Sequence, residues 1–223
     1  NASTPPRAAH LAVVLPDVLA ARGYTDKGGD AMRASVMLVL FDHDGAPHLL
    51  LTKRTDHLVH HAGEVALPGG RFEDGDADLL GTALRETEEE IGVSAQSLTV
   101  LGRLDDVGTM VSGFTVRPWI AYHADGRPEV VVQEDEIARV MEVPLADVLA
   151  AHRNIPAIPD ASTLRYPLMG EDVWGLTARI LHTFSEVVQG ADRIGDALDL
   201  ERGPGRKVRL ARRAALTING QGL

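Results

Sequence analysis

The chain has 223 residues, 44% of them hydrophobic and 24% charged, values that suit one large globular domain. It contains no cysteine, which excludes disulfides, thiol nucleophiles and cysteine-based zinc sites and fits a reducing cytoplasm. A formal net charge of −10 argues against general nucleic-acid binding, and an acidic site facing a phosphate substrate would need metal ions to reverse its sign. No run reaches the about 18 apolar residues of a membrane span. The stretch NASTPPRAAH lacks the basic region and apolar core of a signal peptide, so a cytoplasmic protein is expected.

Residues 1–9 read as a loose leader. In HLAVVLPDVLAAR a helix is expected over Asp17–Arg22, with Gly23 as its stop. The leader and helix, 1–33, precede a body at 34–190, and a basic extension follows at 191–223. ASVMLVLF, Ala34 to Phe41, has the length and aliphatic content of a buried strand. Asp44-Gly45 is a hairpin signal, and His48 to Lys53 is the return strand. Arg54, at the strand's end, either forks onto a phosphate or closes a salt bridge. His57, His60 and His61 read as solvated loop residues, the alternative being a phosphate or metal contact.

Pro68-Gly69-Gly70 is a tight turn before an acidic helix, Asp78 to Ile91, with Asp78 as N-cap and Gly92 as the closing glycine. Leu80, Leu84, Thr87 and Ile91 fall on one expected buried face. Glu86, Glu89 and Glu90 share one helix edge, and Glu88 to Glu90 crowd the last turn, where like charges and the negative helix end both destabilise. Fold stability does not ask for this, whereas a hard divalent cation does. An arbitrary acidic run is a solvated face; Arg85, the glycine turn and Gly92 in register favour the cation site.

Leu98–Leu104 and Phe114–Tyr122 read as strands around a loop, Asp105–Gly113. Glu134 and Glu136 lie in an acidic loop before a strand and a short helix, Leu145–Ala150. They are either a supplement to the acidic helix or a solvated charge run. His152–Thr163 reads as a Pro-rich linker, and Arg165–Met169 as a short strand. Val173 to Val188 is an amphipathic helix with Leu176, Ile180, Phe184 and Val187 on one face. Trp174 reads as core, with stacking on an adenine as the alternative. Arg202, Arg206, Lys207, Arg209, Arg212 and Arg213 form a basic patch without interleaved aromatics. It packs on the acidic body, packs on a second copy in a homodimer, or is solvated; nucleic-acid binding is not expected.

The run Arg85–Val93, RETEEEIGV, resembles the second half of the Nudix box, R-E-U-x-E-E-x-G-U with U aliphatic; Thr87 stands at the first U. Gly70 to Arg85 is one residue longer than in the general box, and Asp76 stands near the place of its first Glu. This lengthened form, PGG followed by TALRE, resembles the coenzyme A pyrophosphatase branch, as do LLTKR at Leu50–Arg54 and WGLTARIL from Trp174. Thr55, Val59 and Leu67 depart from that branch, which has Ser or Ala, Arg and Phe there.

The resemblance implies an α/β Nudix fold, a mixed sheet sandwiched between helices. It implies hydrolysis of a diphosphate linked to another group, dependent on Mg²⁺ or Mn²⁺. Glu86, Glu89, Glu90 and the Gly70 carbonyl would hold metal. Glu89 or Glu136, with Glu134 as a second choice for the loop, would take the proton of water; Arg85 would anchor its neighbouring glutamates, and Arg54 and Gly69 would meet a small-molecule nucleotide. Coenzyme A is the leading substrate. ADP-ribose, NADH or a nucleoside triphosphate is the alternative, and a nucleotide-sensing regulatory domain is the alternative of another class.

Overall fold

A hairpin of β1 (Arg33–His43) and β2 (Ala46–Arg54) is the centre of the fold. Asp44 and Gly45 both take positive φ, 50° and 75°, the turn geometry that matches the twist of the strands. The computed structural model describes residues 8–27, 33–57, 61–108, 114–156 and 162–202. Val59, His60, Ser112, Gly113 and the basic residues from Arg206 to Arg213 lie outside them.

The hairpin pairs only at its closed end, from Leu40↔Leu49 to His43↔Ala46. Beyond that its strands part, and two short strands fill the opening. β3 (Val65–Ala66) pairs with β2 at Thr52 and Lys53, and β4 (Gly69–Arg71) pairs with β1 at Ala34 to Val36. The Pro68-Gly69-Gly70 turn therefore lies in the wedge between the two central strands. β5 (Leu98–Arg103), β6 (Val107–Gly108), β7 (Thr115–His123) and β8 (Ile137–Pro144) complete the sheet. Its order is β3-β2-β1-β7-β5, with β8 on β2 and β6 on β7. β1 and β7 are parallel and the other pairs antiparallel, so the sheet is mixed.

Alternate side chains of β1 serve opposite layers, as strand geometry requires. Met37, Val39 and Phe41 pack with Ala83 and Ile91 of α2 (Leu79–Ile91). Leu38 and Leu40 pack in the larger cluster with α1 (Ala8–Arg22), α3 (Leu145–Arg153) and α4 (Gly175–Arg202). The result is the expected α/β sandwich. In α4 the buried Leu181 and Phe184 are each worth about 1.5–3 kcal/mol of transfer free energy.

Several local expectations change. α1 begins at Ala8 and runs through Pro16. A proline inside a helix costs about 3 kcal/mol, but Leu11, Leu15 and Leu19 form a continuous buried stripe across it. Asp42 also accepts the free N–H groups of Ala8 and Ala9 at 2.9 and 3.1 Å. In α2 the buried face centres on Ala83, Thr87 and Ile91, joined by Leu79, Thr82 and Glu90, while Leu80 and Leu84 are half-buried. The small Ala83 lets the helix approach the sheet, which turns the leucines to the flanks.

Val173 and Trp174 belong to a strand, not to the helix. Met169 and Gly170, at φ 50° and 81°, turn β9 (Arg165–Leu168) into β10 (Glu171–Trp174). Gly175, at φ 64°, opens α4 directly after β10. Trp174 is consequently 45% exposed rather than core, with the Arg165 guanidinium 5.6 Å from its ring centre. α4 runs past residue 190 as far as Arg202. No helix among the described residues is long and apolar enough to cross a membrane.

Candidate active site

The glycine turn and the acidic helix meet in the wedge. Gly69 has φ 150°, and a Cβ there would lie 2.3 Å from the Ser35 carbonyl oxygen and 2.6 Å from Val36 Cα. Only glycine lets β4 press this closely on β1. A Cβ on Gly70 would meet a Glu86 carboxylate oxygen at 2.3 Å, so the backbone and that carboxylate are already in contact.

Helix α2 presents its carboxylates at different depths. Asp78 caps its start by accepting the Gly81 N–H at 2.8 Å, and Gly92 closes it at φ 72°. Glu90 is buried and accepts the Gly69 N–H at 3.1 Å. Burial disfavours its charged form and pushes its pKa up to about 7, against the pull of Gly69 and Arg54. Glu86 is partly buried, and desolvation raises its pKa as well. Glu89 is 57% exposed at the rim. Glu88 turns to the exposed side and accepts the Ala95 N–H at 3.4 Å.

Arg85 organises the outer edge. Its Nε and Nη2 donate to both oxygens of Asp76 at 2.8 and 3.1 Å, and Nη2 also donates to the Arg71 carbonyl at 3.2 Å. Its Nη1 donates to Glu86 at 3.0 Å and Glu89 at 2.9 Å. The Asp76 carboxylate is 4% exposed, and the Arg85 fork holds its pKa well below the usual range. Asp76 in turn raises the pKa of Arg85. Asp76 was not among the expected site residues; its place near the first Glu of the box, after the extra residue, was the available signal.

The acidic loop closes the other side. Gln133 N–H donates to the Glu90 carbonyl and Val131 N–H to the Ile91 carbonyl, both at 3.0 Å, which satisfies two of the free C-terminal carbonyls of α2. Thr55 N–H donates to the Glu136 carbonyl at 2.9 Å, and its hydroxyl to the Asp135 carbonyl at 3.2 Å. These ties bring the end of β2, the helix and the loop together. Arg54 lies among them, with Nη1 at 3.4 Å from Glu90 and Nη2 at 3.4 Å from Glu136. Its Nε is buried and has no hydrogen-bond partner.

Arg54, Gly69, Gly70, Arg85, Glu86, Glu89, Glu90 and Glu136 thus form one chain of contacts. Glu134 is exposed. His57 and His61 are exposed, and His61 stands 3.0 Å from Glu64. Among the described residues no three Asp, Glu or His side chains form a ready-made cation cage. The donors available are nevertheless all carboxylate and carbonyl oxygens, the kind Mg²⁺ and Mn²⁺ select. Arg54 and Arg85 hold several of those oxygens. The set fits a divalent ion once the guanidinium groups yield.

Known proteins resemble this chain in sequence and in fold. A NUDIX domain matches residues 31–164. The uncharacterized Nudix hydrolase NudL of Pectobacterium atrosepticum is 36% identical over 166 residues, covering 72% of this chain and 84% of the relative. Nudix hydrolase 3 of Caenorhabditis elegans is 42% identical over 117 residues, but the match covers only 48% of that relative and 52% of this chain. A crystal structure of a C. elegans Ap4A hydrolase binary complex covers 71% of this chain and 98% of that one, with a TM-score of 0.50. At 17% identity it shows the shared fold. Nudix hydrolases generally use divalent metal ions such as Mg²⁺. The chain belongs to the Nudix hydrolases, enzymes that cleave pyrophosphate bonds in nucleoside diphosphate derivatives.

Proposed function

We propose that this protein hydrolyses the diphosphate of coenzyme A to 4′-phosphopantetheine and adenosine 3′,5′-bisphosphate, with Mg²⁺ or Mn²⁺ as cofactor. The observation that carries the chemistry is the meeting of Glu86 and Glu90 with the Gly69-Gly70 turn, across from Glu136. Glu86, Glu89, Glu90 and the Gly70 carbonyl are the residues that would hold the ion. A bound divalent ion supplies positive charge for the diphosphate oxygens and lowers the pKa of water.

The protein's own part is positioning and charge placement, as expected for transfer at phosphorus. Arg85 orients Glu86 and Glu89 through a fork that Asp76 fixes. Glu136 or Glu89 accepts the proton of the attacking water. Arg54 and the Gly69 turn, beside Glu90, are the groups that would meet the diphosphate. The choice of coenzyme A rests on the TALRE, LLTKR and WGLTARIL segments. Chromatographic quantification of the cleavage products, measured across coenzyme A, ADP-ribose, NADH and nucleoside triphosphates, tests it. The highest kcat/KM is expected for coenzyme A. A preference for ADP-ribose assigns another Nudix activity, and metal-dependent turnover of none of them favours a nucleotide-sensing role.

A further inference from the structure

Two arginines touch the acidic site in different ways. Arg85 spends its donors on short bonds, 2.8 and 3.1 Å to Asp76, 3.0 Å to Glu86 and 2.9 Å to Glu89. Arg54 makes two contacts of 3.4 Å, one to each of two different carboxylates, and leaves its buried Nε unbonded. A guanidinium locked in place would form a bidentate fork at about 2.7–2.9 Å. Charge therefore places Arg54, and geometry does not lock it. Glu90 explains why a cation is favoured there, because a buried carboxylate in its ionised form is strongly disfavoured without a positive partner. A divalent ion would satisfy the same need at the same oxygens.

We propose that Arg54 is an exchangeable internal counter-ion, which holds Glu90 beside Glu136 and yields the Glu90 carboxylate as a divalent ion enters. The guanidinium and the ion compete for the Glu90 carboxylate, so Arg54 weakens ion binding while stabilising the ion-free protein. Arg54 is on this account a positioning residue for the acidic site. The inference rests on the reading that Glu90 and its neighbours hold a divalent ion.

Mn²⁺ binding by isothermal titration calorimetry, without substrate, tests it on the wild type, Arg54→Ala and Arg54→Lys. Linkage makes the gain in Mn²⁺ affinity equal to the coupling removed, and couplings of this kind are about 5–150-fold. Arg54→Ala should therefore bind Mn²⁺ about fivefold more tightly or better, with Arg54→Lys in between. In ion-free buffer Arg54→Ala should melt below the wild type, and saturating Mn²⁺ should raise its Tm by more than it raises that of the wild type. If Arg54→Ala does not fold, the Arg54→Lys affinity decides. Wild-type binding with equal or weaker affinity in the variants overturns the counter-ion role alone. No Mn²⁺ binding by the wild type overturns both it and the metal reading beneath it.

Discussion

Gly70 and Glu86 are in such contact that a methyl group on the glycine would sit 2.3 Å from the carboxylate. The obstacle is the end of a flexible side chain, so Gly70→Ala should fold and displace Glu86. Misplacing a catalytic group by about 1 Å costs about a hundredfold, and a kcat loss of this order with little change in Tm is expected. Gly69→Ala should behave differently, because its methyl group would meet the Ser35 backbone at 2.3 Å. A lowered Tm and poor soluble yield should report it. Equal Tm values for the two variants would contradict this division of labour.

Asp76 and Arg85 form the outer edge of the site's charge network, with the Asp76 carboxylate itself 4% exposed. Asp76→Asn keeps the shape but removes the charge that holds Arg85. Leaving such a partner imperfectly satisfied costs on the order of 1–3 kcal/mol, so Tm should fall at pH 7. Because the folded pKa of Asp76 is lowered, its contribution is present above the unfolded value of about 3.9 and is lost as pH falls through the folded pKa. The Tm gap between wild type and variant should thus narrow in acid. A gap that widens there would contradict the assignment.

Glu90 has the opposite sign. Its pKa rises from the unfolded value of about 4.3 to about 7 in the folded chain. Its stabilising contribution is complete below the lower value and disappears as pH rises through the upper one. In metal-free buffer, Glu90→Gln should raise Tm at pH 8 relative to wild type and have little effect at pH 4. The same substitution should lower kcat by roughly tenfold or more. A thermal melt series across this range, with chelator present, checks the sign.

Trp174 is 45% exposed. Trp174→Ala should change stability by about 0.5 kcal/mol, the scale of a surface substitution, and not by the about 3–5 kcal/mol of a core tryptophan. Urea unfolding separates the two values.

Where a residue's local chemistry settles its conformation, the sequence was readable. Asp78 and Gly92 bound α2 because a capping carboxylate and a left-handed glycine act within one turn. Asp44-Gly45 fixed the central hairpin for the same reason. Elsewhere tertiary contacts overrode local preference. α1 passes through Pro16 because Asp42 serves its first N–H groups from 34 residues away. Gly175, at positive φ, divides the run from Val173 to Val188, whose periodicity suits a helix, into the end of β10 and the start of α4. In the site, the carboxylates of α2 share an edge by helical spacing alone. The meeting of Arg54 with Glu136, 82 residues later, depends on the β2–β8 pairing and the docked acidic loop. Asp76 was visible only as a departure from the expected spacing.

In the proposed function the α2 carboxylates drive metal-dependent cleavage of the coenzyme A diphosphate. Product analysis by chromatography tests it most directly, with coenzyme A and Mg²⁺ or Mn²⁺, for the wild type, Glu89→Gln and Glu90→Gln. The wild type should give 4′-phosphopantetheine and adenosine 3′,5′-bisphosphate, no products should form with chelator present, and kcat should be lower by roughly tenfold or more in both variants. Intact coenzyme A after incubation with the metal-loaded wild type, or unchanged turnover in both variants, would contradict it.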